Sequence, residues 1–192
     1  MQNLQMQQLS EEWFLIRNRT ITAADAPIIM GVSPYSTPSQ LWKRKLKIYP
    51  PVEVNSSMTR GSELESIVRD IVEGLMEIKL EPAVIMAEDE YRIASLDGYS
   101  EAEGIAIEIK CPNKKFHAMA CAGKVPESYF PQLQHQLDVI EAPHMHYYSY
   151  YPGEKQELAS VIVPRDEKYI ELLRAKERAF YDCMINFRCP IS

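Results

Sequence analysis

No stretch of the chain approaches the ~20 consecutive apolar residues of a membrane-spanning helix. The N-terminal segment MQNLQMQQLSEEW has neither a basic start nor an apolar run, so it does not read as a secretory signal and a cytoplasmic protein is expected. Cysteine is scarce. The four residues Cys111, Cys121, Cys183 and Cys189 contain no C-x-x-C pair, which leaves no disulfide framework and little support for a zinc or iron–sulfur site. Positive charge is not in excess either: 21 Lys and Arg stand against 27 Asp and Glu, a net charge of −6. Taken alone, that speaks against a polyanionic partner. The charge is uneven, however, with basic runs KRKLK at 43–47 and NKK at 113–115. A carboxylate-lined metal site would also make the bare chain more acidic than its working form. Net charge therefore leaves the partner open.

What is present is ordinary globular composition, 46% hydrophobic over 192 residues, enough for one domain, 1–192, with a sizeable core. Ser10 before Glu11 and Glu12 predicts a capped helix, and Pro38 after Thr37 predicts the start of another through QLWKRKLK. PPVEVNSS at 50–57 reads as a connection. GSELESIVRDIVEGLMEI places Leu64, Ile67, Val68, Ile71 and Leu75 at helical spacing, with Ser62 and Glu65 as a capping box. Residues 83–95 and 104–110 read as strands around the turn region DGYSEAEG. SYFPQLQHQLDVIEA follows as a helix, 145–151 and 158–164 form a hairpin, and DEKYIELLRAKERAFYDCMINF closes the chain as an amphipathic helix. The expected fold is α+β or mixed α/β, a central mixed sheet flanked by helices in the manner of a restriction-endonuclease core.

The chemistry concentrates in SLDGYSEAEGIAIEIKCP, residues 95–112. Strand alternation puts Ile105, Ile107 and Ile109 on one face and Ala106, Glu108 and Lys110 on the other. The plain reading is a solvated polar face. The alternative is that Glu108 and Asp97 converge at the sheet edge. Two carboxylates with the Ile109 carbonyl would then suit Mg²⁺, which favours oxygen ligands and keeps several waters. Lys110 beside them could orient or deprotonate a water. Such a site fits phosphodiester hydrolysis, although D…E-x-K is a short pattern.

RGSELESIVRD, SLDG and EIKCP, in this order, resemble the PD-(D/E)-x-K nucleases, and more closely the lambda-exonuclease or YqaJ-type viral recombinase family. The resemblance extends to WFLIRNRTITAADAPIIMG, SYFPQLQHQL and VPRDEKY. It implies a 5′-to-3′ exonuclease on linear double-stranded DNA, dependent on Mg²⁺ with Mn²⁺ as substitute, that leaves a 3′ single strand for a single-strand annealing protein. It further implies a homotrimeric ring, no membrane, and a phage or prophage origin in a bacterial host. Residue by residue, Asp97, Glu108 and the Ile109 carbonyl look like metal ligands, Lys110 like the residue acting on water, and Glu65 like the helical glutamate near the metal. Arg17 resembles a 5′-phosphate anchor with Ser95 beside it, and Gln132 faces the site. Lys114 and Lys115 are further DNA-contact candidates.

One departure is ITAA, where many relatives have ITAS: Ala24 replaces a hydroxyl, which bears on 5′-phosphate preference. An endonuclease using the same metal site, an iron–sulfur exonuclease, and a catalytically silent DNA-end-binding module are the alternatives. His144 and His146 lack further ligands. KRKLK reads as a solvated helix face or a DNA grip, and the tyrosines at 147, 148, 150 and 151 as core or, less often, a base-stacking surface.

Overall fold

The computed structural model describes residues 1–48 and 56–190. In chain order the elements are β1 (Gln2–Asn3), α1 (Glu11–Arg19), β2 (Ile21–Thr22), a 3₁₀ turn (Ala23–Asp25), α2 (Ala26–Ile29), α3 (Pro38–Lys45) and α4 (Ser56–Met76). Then come β3 (Glu81–Met86), β4 (Arg92–Ser100), β5 (Ile105–Lys110), α5 (Lys114–Cys121), α6 (Phe130–Val139), β6 (His144–Tyr150), β7 (Leu158–Pro164) and α7 (Glu167–Ile185). The sheet runs β1-β3-β4-β5-β6-β7, with β2 also pairing β4. The β5–β6 and β2–β4 pairs are parallel and the others antiparallel. A mixed sheet with helices packed on it is what the sequence predicted.

The sheet is covered on both faces. On one, Val68 and Val72 of α4 meet Leu80, Ile107, Ile109 and Tyr148. On the other, Leu133 and Leu137 of α6 pack over Ala94, Leu96, Ala106, Met145 and Tyr147. Tyr147 and Tyr148 are therefore core. Behind α6, α7 is joined to it by a buried polar knot. Asp138 accepts from Arg92, from Arg165 at 2.6 Å and from Arg174. Deeper in, His135 bridges Glu177 at 2.6 Å and the Ile93 carbonyl at 3.0 Å. Both ring nitrogens of His135 thus face oxygen atoms, an arrangement that favours the imidazolium and raises its pKa: burial opposes the charge, and Glu177 outweighs it.

Several expectations are corrected. The stretch 83–95 is not one strand but a hairpin, turned at 87–91 where Glu90 takes a positive φ; the polar run EDE favours turn over strand. DGYS, expected as a turn, completes β4. α5 was not anticipated; Asn113 caps it by accepting from Phe116 N. α4 already begins at Ser56, so Ser62 lies inside the helix and Ser62–Glu65 is not its capping box. The remainder of the expected connection, 50–55, lies outside the described residues. Ile67, Ile71 and Leu75 are exposed; of the spaced apolar set only Val68 is fully buried, joined by Val72, which that set did not include. The helix carries more apolar positions than its contact face uses.

Candidate active site

Asp97 owes its position to a β-bulge. The β3–β4 register pairs Ala83 with Leu96 but Glu81 with Tyr99, so Pro82 alone opposes both Asp97 and Gly98. Proline brings no N–H to the ladder, and the Asp97 carbonyl instead accepts from Arg69 of α4 at 2.7 Å. An extra residue in one strand re-aims the side chains around it. Gly98 is required by close approach: a Cβ there would lie 2.8 Å from Ile107 Cγ1 and 3.2 Å from Leu80 Cβ.

On the other side of β4, backbone pairing with β5 begins at Ser100↔Ile105 and ends at Gly98↔Ile107. Beyond that point a side chain continues the ladder: Asp97 Oδ2 accepts from the Ile109 amide at 2.7 Å. Asp97 and Glu108 meet where the two strands part, well inside the strands and not at a turn.

Glu108 is not on a solvated face; it is 2% exposed. Its Oε1 pairs with the Lys110 ammonium and accepts from Gln132 at 2.5 Å, and its Oε2 accepts from Gln136 at 2.6 Å. Gln132 and Gln136 stand one turn apart on α6, so both reach the same carboxylate. Glu65, half-buried on α4, lies 3.7 Å from Arg69. The electrostatics are those of crowded carboxylates. Burial first, then the charges of Glu108 and Glu65, raise Asp97 well above the usual carboxylate range; burial, then Glu108, also shifts Glu65 upward from its ordinary value. Burial would lower the Lys110 ammonium, but Glu108 and Asp97 raise it above its ordinary value. The site thus has a surplus of negative charge that Lys110 and Arg69 offset incompletely.

Among the described residues no three His, Cys, Asp or Glu side chains form a ready-made metal cage. The donor set available is two carboxylates, Asp97 and Glu108, with the main-chain carbonyl of Ile109 next to Glu108 in sequence. That set fits Mg²⁺, which binds through one or two carboxylates and retains waters, and does not fit softer metals. His144 and His146 stack edge to face, and among the described residues no third ligand joins them.

A second cluster adjoins the first through β4. Trp13 Nε1 donates to Ser95 Oγ at 3.0 Å, and the Arg17 guanidinium lies 4.2 Å above the Trp13 ring. Trp13 is the residue that brings Arg17 and Ser95 together. The Ser95 carbonyl accepts from Gln136 at 3.1 Å, tying this cluster to Glu108. Ala24 lies in the neighbouring 3₁₀ turn. Lys114 and Lys115 open α5, and Lys114 pairs with Glu154 at 2.6 Å. KRKLK is not a uniform solvated face, because Lys45 is buried against Asp25.

Sequence reasoning missed Gln136, Arg69, Trp13 and the Asp25–Lys45 pair. Two of these left a local trace: Gln136 in the Q-x-x-x-Q spacing from Gln132, and Trp13 in the W-x-x-x-R spacing to Arg17, although neither spacing by itself assigns a role.

A mixed sheet between helices, with two acidic residues and a lysine where central strands part, defines a nuclease-like α+β core. The fold is shared with the alkaline exonuclease LHK-Exo of Laribacter hongkongensis, 25% identical, with a TM-score of 0.77 over 93% of this chain and 95% of that one. It is also shared with a phage-related exonuclease of Haemophilus somnus 129PT, 16% identical, with a TM-score of 0.65 over 87% of this chain and 95% of that one. The chain belongs to the YqaJ-like viral recombinase domain family, whose profile matches residues 12–143. The protein YqaJ of Bacillus subtilis (strain 168) is 26% identical over 179 residues, 90% of this chain and 55% of that one. The chain therefore spans about half the length of this curated relative. The resemblance read from RGSELESIVRD, SLDG and EIKCP is borne out.

Proposed function

We propose that the chain is a metal-dependent exonuclease, a single domain that removes nucleotides from the 5′ strand of linear double-stranded DNA and leaves a 3′ overhang. The observation that carries this reading is the meeting of Asp97, Glu108 and Lys110 at the end of the β4–β5 ladder. The shared fold with an alkaline exonuclease supports it, as does the viral recombinase family.

Asp97, Glu108 and the Ile109 carbonyl would hold Mg²⁺ or Mn²⁺, with Glu65 acting from α4. Such a cation supplies an activated water and offsets charge on the leaving oxygen. Gln132 and Gln136 hold Glu108 in one rotamer. Lys110, as an ammonium, orients the attacking water and donates toward developing negative charge. Arg17 and Ser95 anchor the 5′-phosphate: a guanidinium stacked on an indole keeps its donors directed at one planar target, and Ser95, whose oxygen already accepts from Trp13, retains a proton to donate. Lys114 and Lys115 add sequence-independent attraction to the backbone. A ring of three copies would supply processivity, an annealing protein would take the product strand, and both belong to a phage or prophage recombination system in a bacterial cytoplasm.

The test is incubation with Mg²⁺ and linear duplex bearing 5′-phosphate or 5′-hydroxyl ends, beside closed circular DNA and a Lys110→Ala control. End-dependent nucleotide release, lost in the control, is the expected result. Cutting of the circle would replace the proposal with an endonuclease, and silence on all substrates with an end-binding module.

A further inference from the structure

Resting on the reading of Arg17 as an end anchor, we propose that Lys45 is a positioning residue for that anchor: by pairing with Asp25 and binding the end of α1, it keeps the Arg17 guanidinium free for a DNA 5′-phosphate.

The Lys45 ammonium has three acceptors at hydrogen-bond distance: Asp25 Oδ2 at 2.5 Å, the Arg17 carbonyl at 2.6 Å and the Thr20 carbonyl at 2.9 Å. All three of its donors are used. The Arg17 and Thr20 carbonyls belong to the last turn of α1 and its C-cap, where helix carbonyls lack intrahelical partners. A lysine from α3 therefore fixes the turn that carries Arg17. It does so from within a basic run that reads as a polar helix face, which hides it in the sequence.

Asp25 is equally committed. Its Oδ2 also accepts from the Thr22 amide and the Thr22 hydroxyl, each at 2.8 Å. The carboxylate is 6% exposed and within electrostatic reach of Arg17. A buried carboxylate stripped of its partner is strongly unfavourable and recruits the nearest cation. With Lys45 in place, no hydrogen bond or ion pair to the Arg17 guanidinium occurs among the described residues, and its contact is the Trp13 ring. Without Lys45, that cation is Arg17, and its fork would turn from the site to Asp25. In a chain where Ala24 offers no hydroxyl, an available Arg17 matters more.

The experiment compares Lys45→Met, Asp25→Asn and the double variant with the wild type. Fluorescence anisotropy in metal-free buffer gives the Kd ratio between 5′-hydroxyl and 5′-phosphate duplex ends, and thermal melting reports the fold. The wild type should prefer the phosphate. Lys45→Met should lose about tenfold or more of that preference, as expected for losing one charge-assisted contact. The double variant, having no stranded carboxylate, should regain most of it, and Asp25→Asn should keep it. A folded Lys45→Met with the wild-type ratio would overturn the proposal, as would a double variant no better than the single, or loss of the preference in Asp25→Asn. Should Lys45→Met not fold, the double variant and Asp25→Asn still decide. A wild type indifferent to the end group, with Arg17→Ala unchanged, would instead remove the anchor reading beneath it.

Discussion

The side-chain amide of Gln136 donates to Glu108 Oε2 at 2.6 Å and to the Ser95 carbonyl at 3.1 Å. One residue of α6 thereby fixes the carboxylate paired with Lys110 and the strand segment that carries Ser95, the hydroxyl proposed to bind the DNA end. A hydrogen bond to a charged group contributes about 1.5–3 kcal/mol. Gln136→Leu should therefore lower kcat/KM by roughly tenfold to a hundredfold, with a matching loss of Mg²⁺ affinity by calorimetry. Unchanged values for both would mean that Glu108 is held by Lys110 and Gln132 alone.

Asp97 sits among like charges, so its removal should stabilise what it disables. Asp97→Asn keeps an oxygen for the Ile109 amide but removes repulsion from Glu108 and Glu65. Nuclease activity should fall by about 10² or more, while the metal-free melting temperature rises by about 2–4 °C, the equivalent of ~1 kcal/mol in a domain of this size. A lower melting temperature would show that the crowding is relieved by other means.

Gly98 is constrained by neighbours on both sides. Gly98→Ala would press on Ile107 and Leu80, at a cost of about 1–3 kcal/mol. Pairing it with Ile107→Val, which removes a methyl from the crowded side, should restore part of the loss in denaturant unfolding. No recovery would place the strain in the bulge backbone.

Asp138 should set the acid edge of stability. Burial alone would raise its carboxyl, but hydrogen bonds from Arg174, Arg92 and Arg165 prevail and hold it down to about 2, against about 3.9 in an unfolded chain. A depressed carboxyl stabilises the fold above its unfolded value, and that contribution fades as the pH falls from about 4 toward about 2. Asp138→Asn should cost about 2 kcal/mol or more in urea unfolding near neutral pH, and its gap to wild type should narrow below about pH 4. An equal gap at both pH values would mean that ionisation of Asp138 is not the source.

The catalytic candidates were legible because strand periodicity is local: IAIEIK shows by itself which residues accompany Glu108. The sheet and its helices were legible for the same reason, from apolar spacing and the prolines and glycines between elements. The bulge was not. It depends on Pro82 standing opposite Asp97, a relation between two strands that neither strand displays alone. Lys45 failed differently, since its burial is decided by Asp25, 20 positions earlier in the chain. The apolar stripe Ile67, Ile71 and Leu75 misled because α4 is apolar on more than the side it packs.

The Ile109 amide donates to a carboxylate where a strand would ordinarily offer a carbonyl. A carbonyl is a constant acceptor; a carboxylate changes strength with its own charge and with whatever shares its lone pairs. The proton on Ile109 nitrogen is thus a built-in spectroscopic gauge of Asp97. Its amide chemical shift and exchange rate will follow occupancy of the site without any label being placed there.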